Sequence, residues 1–334
     1  MRELTMLLNG DVLSMAETEK LFGHLIAGQL TLSQISAMLV ALKIRGETPA
    51  EIAGAAKALL AGSKKFPELS YPVADTCGTG GDGSNTINIS TAAALVNASM
   101  GLKIAKHGNR SISSRSGSAD VLEALGVPLD LSPDENKKLL DEFGFCFLFA
   151  PHYHPGVRYA MPVRQELKTR TIFNLLGPLL NPTRPQAQLL GVYNANLCRP
   201  MAETLRLLGC PRAMVVNGSG LDEIALHGDT HVVELHGDEI REYTLNPSDF
   251  GLPEAPLSSL KGGDGNQNAR MLKEVFAGQG KLEHRHAIAM NAAAVRYLTG
   301  HNETLQEATD SVLSHLASGA ALQHLQRMQE EFIA

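Results

Sequence analysis

Near the start of the chain one pattern occurs three times. A hydroxyl residue is followed three positions on by Glu or Gln, and then by apolar residues at helical spacing. Ser14 and Glu17 precede Leu21, Phe22, Leu25 and Ile26, and Thr31 and Gln34 precede Ile35, Met38, Leu39 and Leu42. Thr48-Pro-Ala-Glu51 adds a proline at the first helical position. A hydroxyl that caps the helix and an acid or amide that reaches back to it satisfy backbone N–H groups the helix leaves open. The first 65 or so residues are therefore expected to be helical, with apolar faces that must be covered by the rest of the chain or by a second copy.

From about residue 70 short apolar runs alternate with helical ones. YPVADTCG, LKIAKHG, FCFLFA, AQLLGVY, RAMVVNG and HVVEL read as strands. ISTAAALVNASMG reads as a helix ending near Gly101, and Ser132-Pro-Asp-Glu135 starts another that runs to Gly144. Such alternation predicts a mostly parallel sheet covered by helices. The segment from about 155 to 185, rich in prolines and helix formers, is assigned to the N-terminal helices. Long helices are expected over 286–299 and about 303–332.

The chain has 334 residues, 44% of them hydrophobic, enough for one large or two modest domains. Its net charge of −6 argues against a nucleic-acid partner. No apolar run approaches the roughly 18 residues of a membrane helix, and the start lacks the marks of a signal peptide. Cys77, Cys146, Cys198 and Cys210 form no CxxC pair. Reduced thiols in a cytoplasm are expected.

Two turns carry candidate chemistry. The first is DTCGTGGDGSNTINIST, residues 75–91. Gly78-x-Gly80-x-x-Gly83 has the form of a dinucleotide fingerprint, but the next strand delivers Lys106 and His107 where an acid should hold the ribose. A phosphate-binding Gly-Lys-Ser/Thr is absent as well. What remains is a turn that lets a ligand approach the backbone, ahead of a helix start near Ser90. Asn88, Ser90 and Thr91 add donors, so the turn reads as an anion cradle. Asp82 would repel phosphate unless it bonds ribose hydroxyls or backbone, or unless magnesium lies between. The plainer alternative is a structural turn capped by Asp82.

The second is KHGNRSISSRSGS, residues 106–118, where Lys106 supplies a point charge and the serines supply donors to phosphate. His107 alone reads more simply as a packed histidine. Two such turns at neighbouring strand ends point to one shared crevice. Asp222-Glu223, in the glycine-flanked loop VVNGSGLDEIALHG, fits magnesium, which takes one or two carboxylates plus substrate phosphates. Adjacent acids are also common on surfaces. Arg164, Lys168, Arg170 and Arg184 are candidates for a substrate carboxylate, and the residues themselves do not choose among them.

Taken together, GTGGDGSNTINIST, KHGNRSISSRSGSADVLEALG, RTIFNLLGPLLNP and GLDEI, with NAAAVRYLTG near the end, closely resemble the anthranilate phosphoribosyltransferase family in order and spacing over nearly the whole chain. The resemblance implies an α/β fold of the nucleoside phosphorylase and phosphoribosyltransferase type. A helical domain of residues 1–68, with about 155–185 packed on it, would join an α/β domain of 69–154 and 186–334. It implies transfer of phosphoribose from 5-phosphoribosyl 1-diphosphate to anthranilate in tryptophan biosynthesis, with two magnesium ions per site and a homodimer through the helical domain. By position, Gly78, Gly81, Asp82, Thr86, Asn88, Ile89, Ser90 and Thr91 would hold the diphosphate sugar. Lys106, His107, Gly108, Asn109, Arg110, Ser111, Ile112, Ser113, Ser114 and Ser118 would complete that site. Ser90, Asp222 and Glu223 would hold metal. Anthranilate would meet Gly78, Asn109 and Arg164, with His107 and Pro178 close by. Lys106 and His107 are the candidate catalytic side chains. The rival readings are a pyrimidine nucleoside phosphorylase-like enzyme and a non-catalytic anion- or nucleic-acid-binding relative.

Overall fold

A computed structural model of the chain describes residues 1–111 and 115–333. Four helices open it: α1 (Arg2–Leu8), α2 (Met15–Ile26), α3 (Leu32–Arg45) and α4 (Pro49–Ala61). Ser14, Thr31 and Thr48 close the reciprocal caps that the pattern predicts, with Glu17, Gln34 and Glu51. Glu51 also accepts from the Leu13 N–H at 3.1 Å and from the Arg45 guanidinium at 2.5 Å, so its buried carboxylate is fully engaged.

Among the described residues seven strands form one sheet. They are β1 (Ala74–Gly78), β2 (Ile104–Gly108), β3 (Phe145–Phe149), β4 (Ala187–Gly191), β5 (Arg212–Gly218), β6 (Thr230–His236) and β7 (Glu239–Leu245), in the order β3-β2-β1-β4-β5-β6-β7. The first five in that order run parallel, and β6 and β7 add an antiparallel hairpin at one edge. The fold is thus the expected α/β one with a mostly parallel sheet. Strand β7 is not among the expected strands. EIREYTL has no apolar run, because as an edge strand it leaves Glu239, Arg241 and Glu242 exposed.

The helices that follow the opening four are α5 (Ile89–Ser99), α6 (Ser118–Ala124), α7 (Pro133–Phe143), α8 (Ala150–Tyr153), α9 (Met161–Leu167), α10 (Phe173–Leu176), α11 (Cys198–Leu207), α12 (Gly265–Phe276), α13 (Leu282–Leu298), α14 (Leu305–Ala317) and α15 (Ala320–Ile333). The single helix expected over 303–332 is two, broken at Gly319 with its φ of 74°. Helix α13 starts at 282, earlier than expected, and α12 lies outside the expected elements.

Alternation along the strands feeds two large cores and a smaller cluster in which Ala105, Cys146 and Leu148 meet Val73, Leu140 and Tyr153. Leu189, Met214, Val216 and Val232 face α5 and α13, whose alanines (92–94 and 292–294) are buried. Small side chains let these two helices approach closely, and Asn97 ties them by donating to the Ala292 carbonyl at 3.1 Å. Leu190, Val192, Val215, Val233 and Leu235 face the other way. They share one apolar cluster with α11, with the four N-terminal helices, and with Val163, Phe173 and Leu176 of the 155–185 segment.

Candidate functional site

The two turns lie side by side because β1 and β2 are neighbours and both end there. Residues 79–88 join β1 to α5, and Gly80, Gly81 and Gly83 have φ of 68°, 81° and 76°, the left-handed region that favours glycine. The turn is held along its length. The Ile87 N–H donates to the Leu260 carbonyl, Thr86 bridges Lys261, and the Asn88 side chain bonds Ser116 and Asn268. Asn88 precedes α5 without capping it, because its amide is committed to those partners.

The loop carrying Asp222 and Glu223 folds over this turn. Gly80 donates to Asp222 Oδ2 at 2.6 Å, and the Ser90 N–H donates to Glu223 Oε1 at 3.0 Å. The approach is so close that a Cβ at Gly78 would stand 2.2 Å from Asp222 Oδ2, and one at Gly191 only 1.7 Å from the Asp222 carbonyl. Lys106, 1% exposed, donates to the Thr76 carbonyl at 2.5 Å and to Ser90 Oγ at 3.4 Å. Ser90 therefore stands between the lysine and the acidic pair, and the expected convergence of Lys106, Ser90, Asp222 and Glu223 is present.

Burial and, second, the Asp82 charge push the Asp222 carboxyl up. Burial and then Asp222 push Glu223 up, with Lys106 partly offsetting. Among the described residues no array of three or more His, Cys, Asp or Glu side chains could hold a metal unaided. Two half-buried, mutually repelling carboxylates beneath a phosphate-type turn nevertheless suit magnesium, which completes its shell with substrate oxygens. Asp82 accepts from the Ser84 N–H at 3.1 Å and from Ser84 Oγ at 2.7 Å, one of the roles expected for it.

Buried Thr91 Oγ1 and Thr76 Oγ1 have no protein partner, two polar atoms left open beside the cradle. Ile89 is buried beneath it.

In the second turn Asp120 is the organising residue. Its Oδ2 accepts from both Ser111 N (3.1 Å) and Gly117 N (2.8 Å), drawing the two ends of the loop together. Gly108 lies against Phe147 and Ser118, and the Asn109 carbonyl accepts from the Ala119 N–H. Arg110 is not turned into the cradle. Its guanidinium forks onto Glu123 at 2.8 and 2.9 Å and reaches Asp120 at 3.2 Å. Ile112, Ser113 and Ser114 lie outside the described residues.

The far wall of the crevice is the segment from α9 to residue 179. His107 Nδ1 bonds the Gly177 carbonyl at 3.1 Å, and Gln188 donates to the Pro178 carbonyl at 2.6 Å. Burial and then neighbouring His154, in edge contact at 5.2 Å, push the His107 imidazole down to about 3, so it is neutral with Nδ1–H as donor. Half-buried Arg164 lies over the Phe173 ring at 5.0 Å, and among the described residues no carboxylate pairs with it. Of the other cationic candidates, Arg170 reaches the glycine turn, donating to the Gly81 carbonyl at 2.5 Å.

Several structural partners escape the sequence reading. Asp120 does follow a helix-start spacing from Gly117, which could have flagged it. Asn268 stands 180 residues from Asn88, with no local signal. Asp75, fully buried, accepts from Asn181 at 2.9 Å, and burial pushes its carboxyl up to about 6.

A glycosyl transferase family model for the α/β domain matches residues 70–322, and one for the helical bundle domain matches residues 4–62. The anthranilate phosphoribosyltransferase of Idiomarina loihiensis is 58% identical over 99% of this chain and 98% of its own length. The chain belongs to the anthranilate phosphoribosyltransferase family. The Erwinia tasmaniensis member is 52% identical over 98% of each chain. In solved structures, the Thermus thermophilus member superposes with a TM-score of 0.95 at 42% identity, covering all of both chains. A Saccharomyces cerevisiae member in complex with PRPP and Mg superposes with a TM-score of 0.86 at 32% identity, over 95% of this chain and 93% of that one.

Proposed function

We propose that this chain transfers the phosphoribosyl group from 5-phosphoribosyl 1-diphosphate to the amine of anthranilate, as an enzyme of tryptophan biosynthesis. The observation that carries the reading is the meeting of Lys106, Ser90, Asp222 and Glu223 at one end of the crevice, where family membership leads a diphosphate sugar to be sought. The anthranilate amine is a weak nucleophile, because its lone pair is delocalised into the ring. Bond breaking to diphosphate therefore leads, and positive charge builds on the sugar.

In this reading the glycine turn and α5 receive the diphosphate sugar through Gly78, Gly81, Asp82, Thr86 and Asn88 through Thr91. Lys106 holds Ser90 in place and balances Glu223. Ser90, Asp222 and Glu223 hold magnesium, two ions per site, and the metal supplies charge neutralisation of the diphosphate. Half-buried, unpaired Arg164 takes the anthranilate carboxylate, with Asn109 and Pro178 lining that end. A group titrating near 3 carries almost no proton at neutral pH, so His107 is assigned an orienting role rather than that of an acid. Positioning of this kind contributes on the order of 7–11 kcal/mol, and each preorganised electrostatic donor about 3 kcal/mol.

The same proposal divides the chain into a helical domain (1–68, with 155–185) and an α/β domain (69–154 and 186–334); the family matches, 4–62 and 70–322, support the boundary near residue 68, while the second runs on through 155–185. It makes the protein a homodimer through the helical domain, where Leu8, Val12, Leu32 and Ile44 are exposed. It places the protein in the cytoplasm, in keeping with four free cysteines. Among the described residues no helix is long and apolar enough to cross a membrane.

The test mixes the protein with anthranilate, 5-phosphoribosyl 1-diphosphate and magnesium, and follows the loss of anthranilate fluorescence. Turnover that stops on chelation and returns with magnesium is expected. Arg164→Ala should raise the KM for anthranilate roughly 10- to 100-fold, the worth of a charge-assisted contact, and leave the KM for the sugar within about twofold. No turnover, or phosphate-dependent release of base from uridine instead, would remove the reading.

A further inference from the structure

Arg170 lies outside every role assigned above, yet its surroundings are specific. It stands on the connection between α9 and α10, six positions beyond Arg164. Its Nη2 donates to the Gly81 carbonyl at 2.5 Å, and its guanidinium carbon stands over the Tyr193 ring, 3.8 Å from the centroid. Tyr193 is itself tied to the glycine turn, its N–H donating to Thr79 Oγ1 at 3.2 Å, while the Thr79 N–H donates to the Gly191 carbonyl. The near side of the connection is anchored to the helical module through a Lys43–Thr169 hydrogen bond. A Cβ at Gly81 would come within 3.3 Å of Nη2, so the turn leaves room for this contact and little more. Among the described residues no carboxylate pairs with Arg170. Its charge is spent on a carbonyl and a ring face, one long contact joining two walls of the crevice.

We propose that Arg170 is a positioning residue that couples the two ends of the site: it fixes the glycine turn against the segment carrying Arg164, so that an occupied diphosphate end changes affinity for an aromatic carboxylate at the other. The inference rests on the function proposed above. Two sites that share one rigid connection bias each other reciprocally, typically about 5- to 150-fold. An aromatic platform holds the guanidinium in one orientation, which a flexible ammonium would not keep.

The probe is anthranilate fluorescence titrated onto the full chain, alone and with saturating magnesium diphosphate. In the wild type the two dissociation constants should differ by about fivefold or more. In Arg170→Gln the ratio should fall to within twofold of one, with the dissociation constant of anthranilate alone unchanged. Arg170→Lys should restore part of the ratio, and Tyr193→Phe, which keeps the ring, nearly all of it. Should Arg170→Gln fail to fold, Tyr193→Leu removes the platform and makes the same measurement. A wild-type ratio of one, or an unchanged ratio in Arg170→Gln, overturns the coupling while leaving the reaction intact. A wild type that neither binds anthranilate nor turns over overturns the function reading itself.

Discussion

Helix α4 starts on Thr48, whose hydroxyl accepts from the Glu51 N–H three residues on. The glycine turn is fixed at Gly80, whose N–H donates to Asp222, 142 residues on. The same contrast runs through both regions. The helical module closes α2, α3 and α4 with caps of span three and fills itself with leucine, isoleucine and alanine. The crevice closes with side chain to backbone or side-chain pairs spanning 133 residues (Glu223 to Ser90), 89 (Arg170 to Gly81) and 180 (Asn268 to Asn88). Local caps form whenever the helix forms. The crevice exists only when the whole chain is folded, so its geometry is the more fragile of the two.

The hardest blow to that contrast is Gly191→Ala. The added methyl would stand 1.7 Å from the Asp222 carbonyl, so the acidic loop must move. We expect kcat/KM to fall at least about 100-fold and stability to fall by roughly 1–3 kcal/mol, with far-UV helical signal retained. Full activity in this variant would mean that the loop has freedom the structure denies it.

Asp75→Asn sharpens the comparison through pH. The folded carboxyl is raised from 3.8 to about 6, so the folded state holds its proton more tightly than the unfolded chain. The wild type then loses stability as pH rises from about 4 to about 6, and the loss persists above. The isosteric amide has no such loss. Its stability relative to the wild type should grow by up to about 3 kcal/mol across that window, read from urea midpoints at pH 4 and pH 7. A difference flat in pH would show the charge to be fully compensated.

The smallest effect is expected in the module. Thr31→Ala removes one cap and should cost about 1 kcal/mol in urea unfolding without altering either KM. A kinetic change there would tie the module to the crevice more tightly than its caps suggest.

This contrast also decides what could be read from the chain. The caps at Ser14, Thr31, Thr48 and Ser132 and the cores of six strands are local patterns and were legible. So were Gly78, Asp82, Lys106 and Asp222-Glu223, because each sits in a compact motif. Strand β7 was not, since an exposed edge needs no apolar face, and neither was the break at Gly319, since buried Val312, Leu316, Ala321 and Leu325 keep near-helical spacing across it. The commitment of Arg110 to Glu123 was hidden for another reason. A basic residue in a phosphate-type loop is read as facing the ligand, and its acidic partner lies on the next helix. Asn268 acts through the Asn88 side chain and Arg170 through the Gly81 carbonyl, each far away in the chain, so neither contact leaves a local mark.

The close seating of α5 on α13 carries one more consequence. Every signature loop has been made by residue 223, but the floor beneath them comes later. Ile224 is clamped by the Asn291 side chain, which both accepts from its N–H and donates to its carbonyl, and Thr86 leans on Lys261. A ribosome three-quarters of the way through the message holds a nascent polypeptide with every signature loop and no working enzyme. Competence arrives late in translation, when α13 emerges and docks.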